Sequence, residues 1–170
     1  MIDLPDSGQP DMADASRQAS DDFVWSDDFL LGFTPMDETH KEFVSVASRL
    51  LACDSESAAA AMAELEAHAI RHFGQEEEWM LSTDFPPRDC HIDEHAAVLK
   101  SVREVRQALA EELADESLVH DLARHLVDWF PAHADYLDSA LAAWMSKQRY
   151  GGKPVVLRRG AATNPTRARE

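Results

Sequence analysis

Apolar side chains recur every three or four residues in four segments of this chain, the repeat of an α-helix with one buried face. The first stripe is Met36, His40, Phe43, Val44, Ala47, Leu50 and Leu51. Pro35 and Asp37 mark its start, and it should run to about Cys53. The second, from about Ser55 to Ser82, aligns Ala58, Met62, Leu65, Ala69, His72, Glu76 and Met80, and the stretch TDFPPRD ends it. His91, His95, Val98, Val102, Val105 and Leu109 share a face between about Pro87 and Leu113. Leu118, Leu122, Leu126, Trp129, His133, Leu137, Ala140 and Trp144 share one between about Ser117 and Lys147. No segment carries the alternating β-branched pattern of a strand. Short connections favour antiparallel neighbours, so the expected fold is all-α, an up-down-up-down antiparallel four-helix bundle.

The flanks differ in character. Residues 1–22 are polar and acidic without periodic apolar positions, the composition of a flexible leader. FVWSDDFLLGFTPMD, with Trp25, Phe29 and Phe33 around Gly32 and Pro35, reads as an irregular arm packed on the domain. The expected organisation is therefore a leader (1–22), one bundle domain (23–147) and a basic C-terminal tail (148–170). Val155, Val156 and Leu157 in the tail could dock on the bundle, although the neighbouring glycines favour a flexible link.

A formal charge of −16 argues against nucleic acid or an anionic membrane as partner, because phosphate surfaces need basic patches. The leader has neither a basic nor an apolar signal region, and no run is long enough to span a bilayer, so a soluble cytoplasmic protein is expected. No protein partner is indicated, and a monomer is compatible with the sequence. Cys53 and Cys90 have neither zinc spacing nor a disulfide framework and are expected to be reduced.

The chemistry lies in the stripes themselves, each of which carries histidine. A bundle interior that buries several imidazoles and a carboxylate without partners costs on the order of 1–3 kcal/mol for each. A metal supplies the missing partner. HFGQE places His72 and Glu76 four residues apart, and HIDEH does the same for His91 and His95, so each pair projects from one helix face. His40 and His133 lie on the other two stripes. Nitrogen with carboxylate oxygen suits iron, zinc, copper or manganese rather than calcium or magnesium. So many donors exceed the needs of one zinc and point to two metals bridged by carboxylate.

The segments WSDDFLLGFTPMDETH, HFGQEEEWM, HIDEH and WFPAHADYLD resemble, in order and spacing, those of the bacterial hemerythrins, over about Trp25 to Trp144. The resemblance implies two non-haem irons (Fe2+/Fe3+) with an oxo or hydroxo bridge. One would be held by His91, His95 and His133, the other by His40 and His72, with Glu76 and Asp138 bridging. It also implies that O2 binds reversibly, as a hydroperoxide, at the iron left one ligand short, and that the protein is an oxygen carrier or store rather than an enzyme. No Glu-x-x-His occurs, which counts against a ferritin-like oxidase.

Asp138 is the choice that helix geometry alone does not make. Five residues after His133 lies about 140° round an ideal α-helix, so a local π-type widening is needed, and Pro131 already removes one backbone hydrogen bond nearby. Glu77 and Glu78 read as a solvated face; His68, one turn before His72, reads as a helix-surface residue in preference to a partner supporting the metal ligands; His120 and His125 read as ordinary, and Cys90 as small and partly buried. Phe43, Phe73, Trp129 and Phe130 would keep the pocket dry. Competing functions on the same scaffold are a redox or O2 sensor, an enzyme reducing nitric oxide or peroxide, a structural zinc protein, and a metal-free bundle.

Overall fold

The computed structural model describes residues 23–151. The leader and residues 152–170, with the three apolar tail positions, lie outside the described residues. Among those described there is no strand. The helices are α1 (Thr34–Leu51), α2 (Ala58–Ser82), α3 (Arg88–Ala110), α4 (Glu116–His133) and α5 (Ser139–Tyr150). A π-helical turn, Ala134–Asp138, joins α4 and α5 into one rod. Each rod packs on its sequence neighbours, and the last closes the ring on α1.

Two apolar clusters fill the bundle, and the order in which each helix meets them gives its direction. Going along α1, Met36 belongs to one cluster, His40 follows, and Phe43 to Leu50 belong to the other. On α2 the order reverses, from Met62 and Leu65 through His72 and Glu76 to Met80. Along α3, Ile92 lies against the first cluster and Val102 and Val105 in the second, whereas the fourth rod passes from Leu122 and Leu126 through His133 and Asp138 to Leu141 and Met145. Directions alternate, as in an up-down-up-down bundle. A polar layer separates the clusters on all four rods.

Turn geometry explains the helix ends, both where they fall as expected, at Ser82, and where they depart. The end of α2 has Asp84 in the left-handed region (φ 51°) with the Phe85 N–H bonded to the Met80 carbonyl. Likewise α3 stops at Ala110 rather than about Leu113, because Glu112 (φ 56°) turns the chain and the Leu113 N–H reaches Ala108. These are Schellman turns built without glycine. At α4, Asp115 caps by accepting the Ser117 N–H. The last helix runs to Tyr150, three residues past the expected Lys147, where Gly151 (φ 68°) ends it.

The arm is packed as expected. Asp37, buried on the first turn of α1, accepts the N–H groups of Leu31 (2.8 Å) and Gly32 (3.1 Å). Gly32 adopts φ 80°, which a side chain would strain. Phe23 and Phe29 meet Phe130 with ring centroids 6.2 and 5.3 Å apart, and Phe33 meets Trp79 at 5.3 Å.

The π turn changes the inward-facing register of the last helix. Leu137, Ala140 and Trp144 were expected inside, but the buried positions are Asp138, Leu141, Ala142, Met145 and Ser146, while Ala140 is exposed and Leu137 and Trp144 are partly buried, Trp144 against the edge of the apolar cluster. The Ser139 N–H bonds to the Ala134 carbonyl, five residues back, so one extra residue is taken into the turn and the stripe moves on by one.

Candidate metal centre

The polar layer is assembled one side chain at a time by helix geometry. The i, i+4 spacing sets His72 over Glu76 on α2 and His91 over His95 on α3, while His40 comes from α1. His133 ends α4, and the π turn brings Asp138 round to the same face. All seven predicted site residues are buried, and the structure brings all seven together.

Their donor atoms form two sets that share Glu76: Glu76, His91, His95, His133 and Asp138 in one, and His40, His72 and Glu76 in the other. The carboxylates divide their oxygens between the two. Glu76 Oε1 is 3.0 Å from His72 Nε2, and its Oε2 is 3.3 Å from His91 Nε2 and 3.6 Å from His95 Nε2. Asp138 Oδ2 is 3.1 Å from His40 Nε2, and its Oδ1 is 3.1 and 3.2 Å from the Nε2 atoms of His91 and His133. His95 Nε2 and His133 Nε2 are 3.0 Å apart.

Such separations match the edges of a coordination polyhedron, about 3.0 Å for an octahedron with ligands at roughly 2.1 Å. Angles decide between metal and hydrogen bonds. Although these atoms are close, both oxygens of Asp138, Glu76 Oε2, His40 Nε2 and His91 Nε2 are buried without a hydrogen bond in the protein. The donor atoms of each set lie within 4.8 Å of one another, close enough to share one ion. This is the arrangement a metal completes and a protein alone leaves costly.

Charge follows the same layout. Burial and Asp138 push the Glu76 carboxyl up, but the imidazoles of His72 and His91 outweigh both and bring it down to about 2. Asp138 is likewise opposed by burial and held well below the usual carboxylate range by His133, His40 and His91. In the metal-free protein His91 is raised to about 9, because Asp138 and Glu76 hold its proton against the pull of burial. Burial keeps His95 neutral, down to about 3.

The model of the hemerythrin HHE cation binding domain matches residues 31–145. The chain belongs to the hemerythrin family. It is 32% identical over 124 residues to a bacteriohemerythrin of Ralstonia nicotianae, covering 73% of this chain and 89% of that protein. A bacteriohemerythrin of Stenotrophomonas maltophilia is 26% identical over 138 residues, covering 76% and 90%.

Around these donors the walls are aromatic. Phe73 stacks on His95 (3.9 Å between centroids, 10° between planes), Trp129 lies 4.2 Å from His133, and Phe130 5.1 Å from His40. Phe43 packs on Phe130 at 4.7 Å.

Two expectations about nearby residues are corrected. His68 is buried at 1% exposure rather than on the helix surface, because it lies one turn before His72 on the same inward face. Cys90 is exposed, since it precedes His91 and so points away from the centre. Glu77, Glu78 and His125 are exposed as expected, and His120 donates to the Cys53 carbonyl at 2.8 Å, away from the donors. The sequence reading missed Glu94. It stands beside His95 on α3, yet accepts from Nδ1 of His133 at 3.0 Å and from the Trp129 indole at 3.4 Å. Spacing along α3 gives an acid inside HIDEH no distinguishing signal, and only the pairing of α3 with α4 reveals its partner. Carboxylates in this position orient a ligating imidazole.

Proposed function

We propose that this protein binds O2 reversibly at a centre of two non-haem irons, for storage, delivery or buffering of oxygen. His91, His95 and His133 would hold one iron, His40 and His72 the other, with Glu76 and Asp138 spanning both. Membership of the hemerythrin family supports oxygen binding at a di-iron site in general. Held by these residues, two Fe(II) ions would supply the two electrons, and a hydroxo bridge between them the proton, for O2 to bind as a hydroperoxide, and all would return on release.

The observation that carries the reading is the unequal division of donors. Three imidazoles and one oxygen from each carboxylate face one side, whereas two imidazoles and the other two oxygens face the other. With a shared bridge, the His40 and His72 side falls one donor short of six. That side offers the place for a diatomic ligand.

The remaining residues favour holding a ligand over turning it over. Five imidazoles and two carboxylates give a donor set of modest negative charge, which stabilises high-valent iron less than carboxylate-rich sites do. Phe43, Phe73, Trp129 and Phe130 restrict water, and Asp37, an acid one turn from His40, is committed to the arm's N–H groups. Among the described residues no helix is long and apolar enough to cross a membrane.

The test is iron per chain and the visible spectrum, recorded anaerobically after reduction, after admitting O2 and after purging. Two irons with a peroxide-to-iron absorption that rises on oxygenation and fades on purging is the expected result. Immediate oxidation without that band overturns reversible binding in favour of a sensor or a nitric oxide or peroxide reductase. A protein without iron overturns the centre itself.

A further inference from the structure

His68 is fully enclosed yet belongs to neither donor set. Its Nδ1 faces Oε2 of Glu42 at 3.5 Å, and the Glu42 carboxylate is braced by Arg71 Nη2 at 2.6 Å. A neutral imidazole facing a carboxylate carries its proton on that nitrogen. The other nitrogen, Nε2, is then a lone-pair acceptor, and it is buried with no partner in the protein.

His72 presents the complementary need. Its Nε2 turns to Glu76 and the centre, so the ring proton sits on Nδ1, and that N–H is also buried without a protein partner. The two rings are neighbours, with centroids 5.3 Å apart at 66°, one turn apart on α2. An acceptor lacking a donor therefore lies beside a donor lacking an acceptor. Ligating histidines almost always anchor their second nitrogen. On the other side of the centre His133 does so directly on Glu94.

We propose that His68 is a positioning residue for His72. Glu42 fixes its tautomer, and its Nε2 accepts the His72 Nδ1–H through one buried water, which orients the ring and makes it a stronger donor on the open side. This rests on the reading above that His72 ligates a metal through Nε2.

The experiment compares His68→Phe, which keeps a ring but removes the acceptor, with Glu42→Gln at the half-exposed outer end and Glu94→Gln as a control on the other side. Anaerobic Co(II) titration of each full-length protein gives the affinity of each of two sites. Proton NMR of the cobalt-loaded proteins gives the solvent exchange of the shifted ring N–H signals. His68→Phe should weaken one site about 10- to 100-fold and spare the other, with one N–H signal exchanging faster. Glu42→Gln should act on the same site and signal more weakly, and Glu94→Gln on the other site. Unchanged binding and exchange in His68→Phe overturns the inference while the di-iron reading stands, and so does equal weakening of both sites. If His68→Phe does not fold, Glu42→Gln decides alone, and an unchanged titration and spectrum overturn the proposal. A wild-type protein that takes up no Co(II) overturns the centre and this inference with it.

Discussion

Deleting Tyr136 should leave the metal centre and the core in place. Tyr136 sits in the π turn with 79% of its surface exposed, so its removal takes away little packing. Five residues from His133 to Asp138 need the wide turn to share a face, whereas four do so in an ordinary α-helix. Without Tyr136 the turn can relax to α, Asp138 stands four residues from His133, and Leu141, Ala142 and Met145 keep their inward positions. One fewer residue is ordered, which offsets the lost contacts, and stability should stay within about 1 kcal/mol of wild type. The opposite change, one alanine inserted after Tyr136, adds about 100° and 1.5 Å that the helix cannot absorb. Leu141 and Met145, now 0% and 9% exposed, would turn outward at roughly 1.5–3 kcal/mol each, a large share of a domain's usual 5–15 kcal/mol. Asp138 would leave the donors as well. Metal content by mass spectrometry and thermal unfolding by circular dichroism give the answer. A deletion variant that folds but binds fewer metals than wild type refutes the account of the π turn as one absorbed residue.

Two further predictions concern the donors. His91→Ala should bring iron per chain well below wild type while His120→Ala, whose ring bonds the Cys53 carbonyl, leaves it unchanged; equal iron in the two purified variants refutes the ligand assignment. In the metal-free protein, His91 is raised to about 9 and His133 is raised too, burial being outweighed in both by Asp138. Both folded values exceed the unfolded value near 6.5, so this stabilisation is complete below about pH 6.5 and is lost as pH rises through 9. The melting temperature of the metal-free protein should fall across that window, by the equivalent of on the order of 1–3 kcal/mol, and the metal-loaded protein should not show the fall. A flat profile in the metal-free protein refutes the protonated pair.

Most of the bundle was legible because its signal is periodic. Where the chain keeps one period, as from Met36 to Leu50 and from Met62 to Met80, the expected stripes are the buried ones. Past His133 the period changes without a change in composition, so a straight reading put Leu137, Ala140 and Trp144 inside, one residue short of the true face. The end of α3 fell three residues early for a related reason: the left-handed position holds Glu112 where glycine would have marked it. The donors themselves stood out as polar residues on apolar stripes. Glu94 did not, because what distinguishes it is a partner on another helix, and contact between helices is not written in spacing along one; His68, one turn before His72, was open to a surface reading and to one as a partner of the site, and its burial decides between them.

The two ends of the fourth rod connect fold and chemistry. A regular helix through His133 would put Leu137 at the centre and leave the layer with one carboxylate, Glu76, and unmatched imidazoles around it. The π turn exchanges that leucine for Asp138, whose two oxygens reach His40 on one side and His91 and His133 on the other. The same one-residue shift sets Leu141 and Met145 into the cluster with Phe33 and Met80. Register and ligand set therefore change together, and neither can be restored without the other. A substitution that straightens this turn without shortening the chain must lose both the Asp138 carboxylate and the packing of the last helix, which is why the deletion tests the centre and the fold in one step.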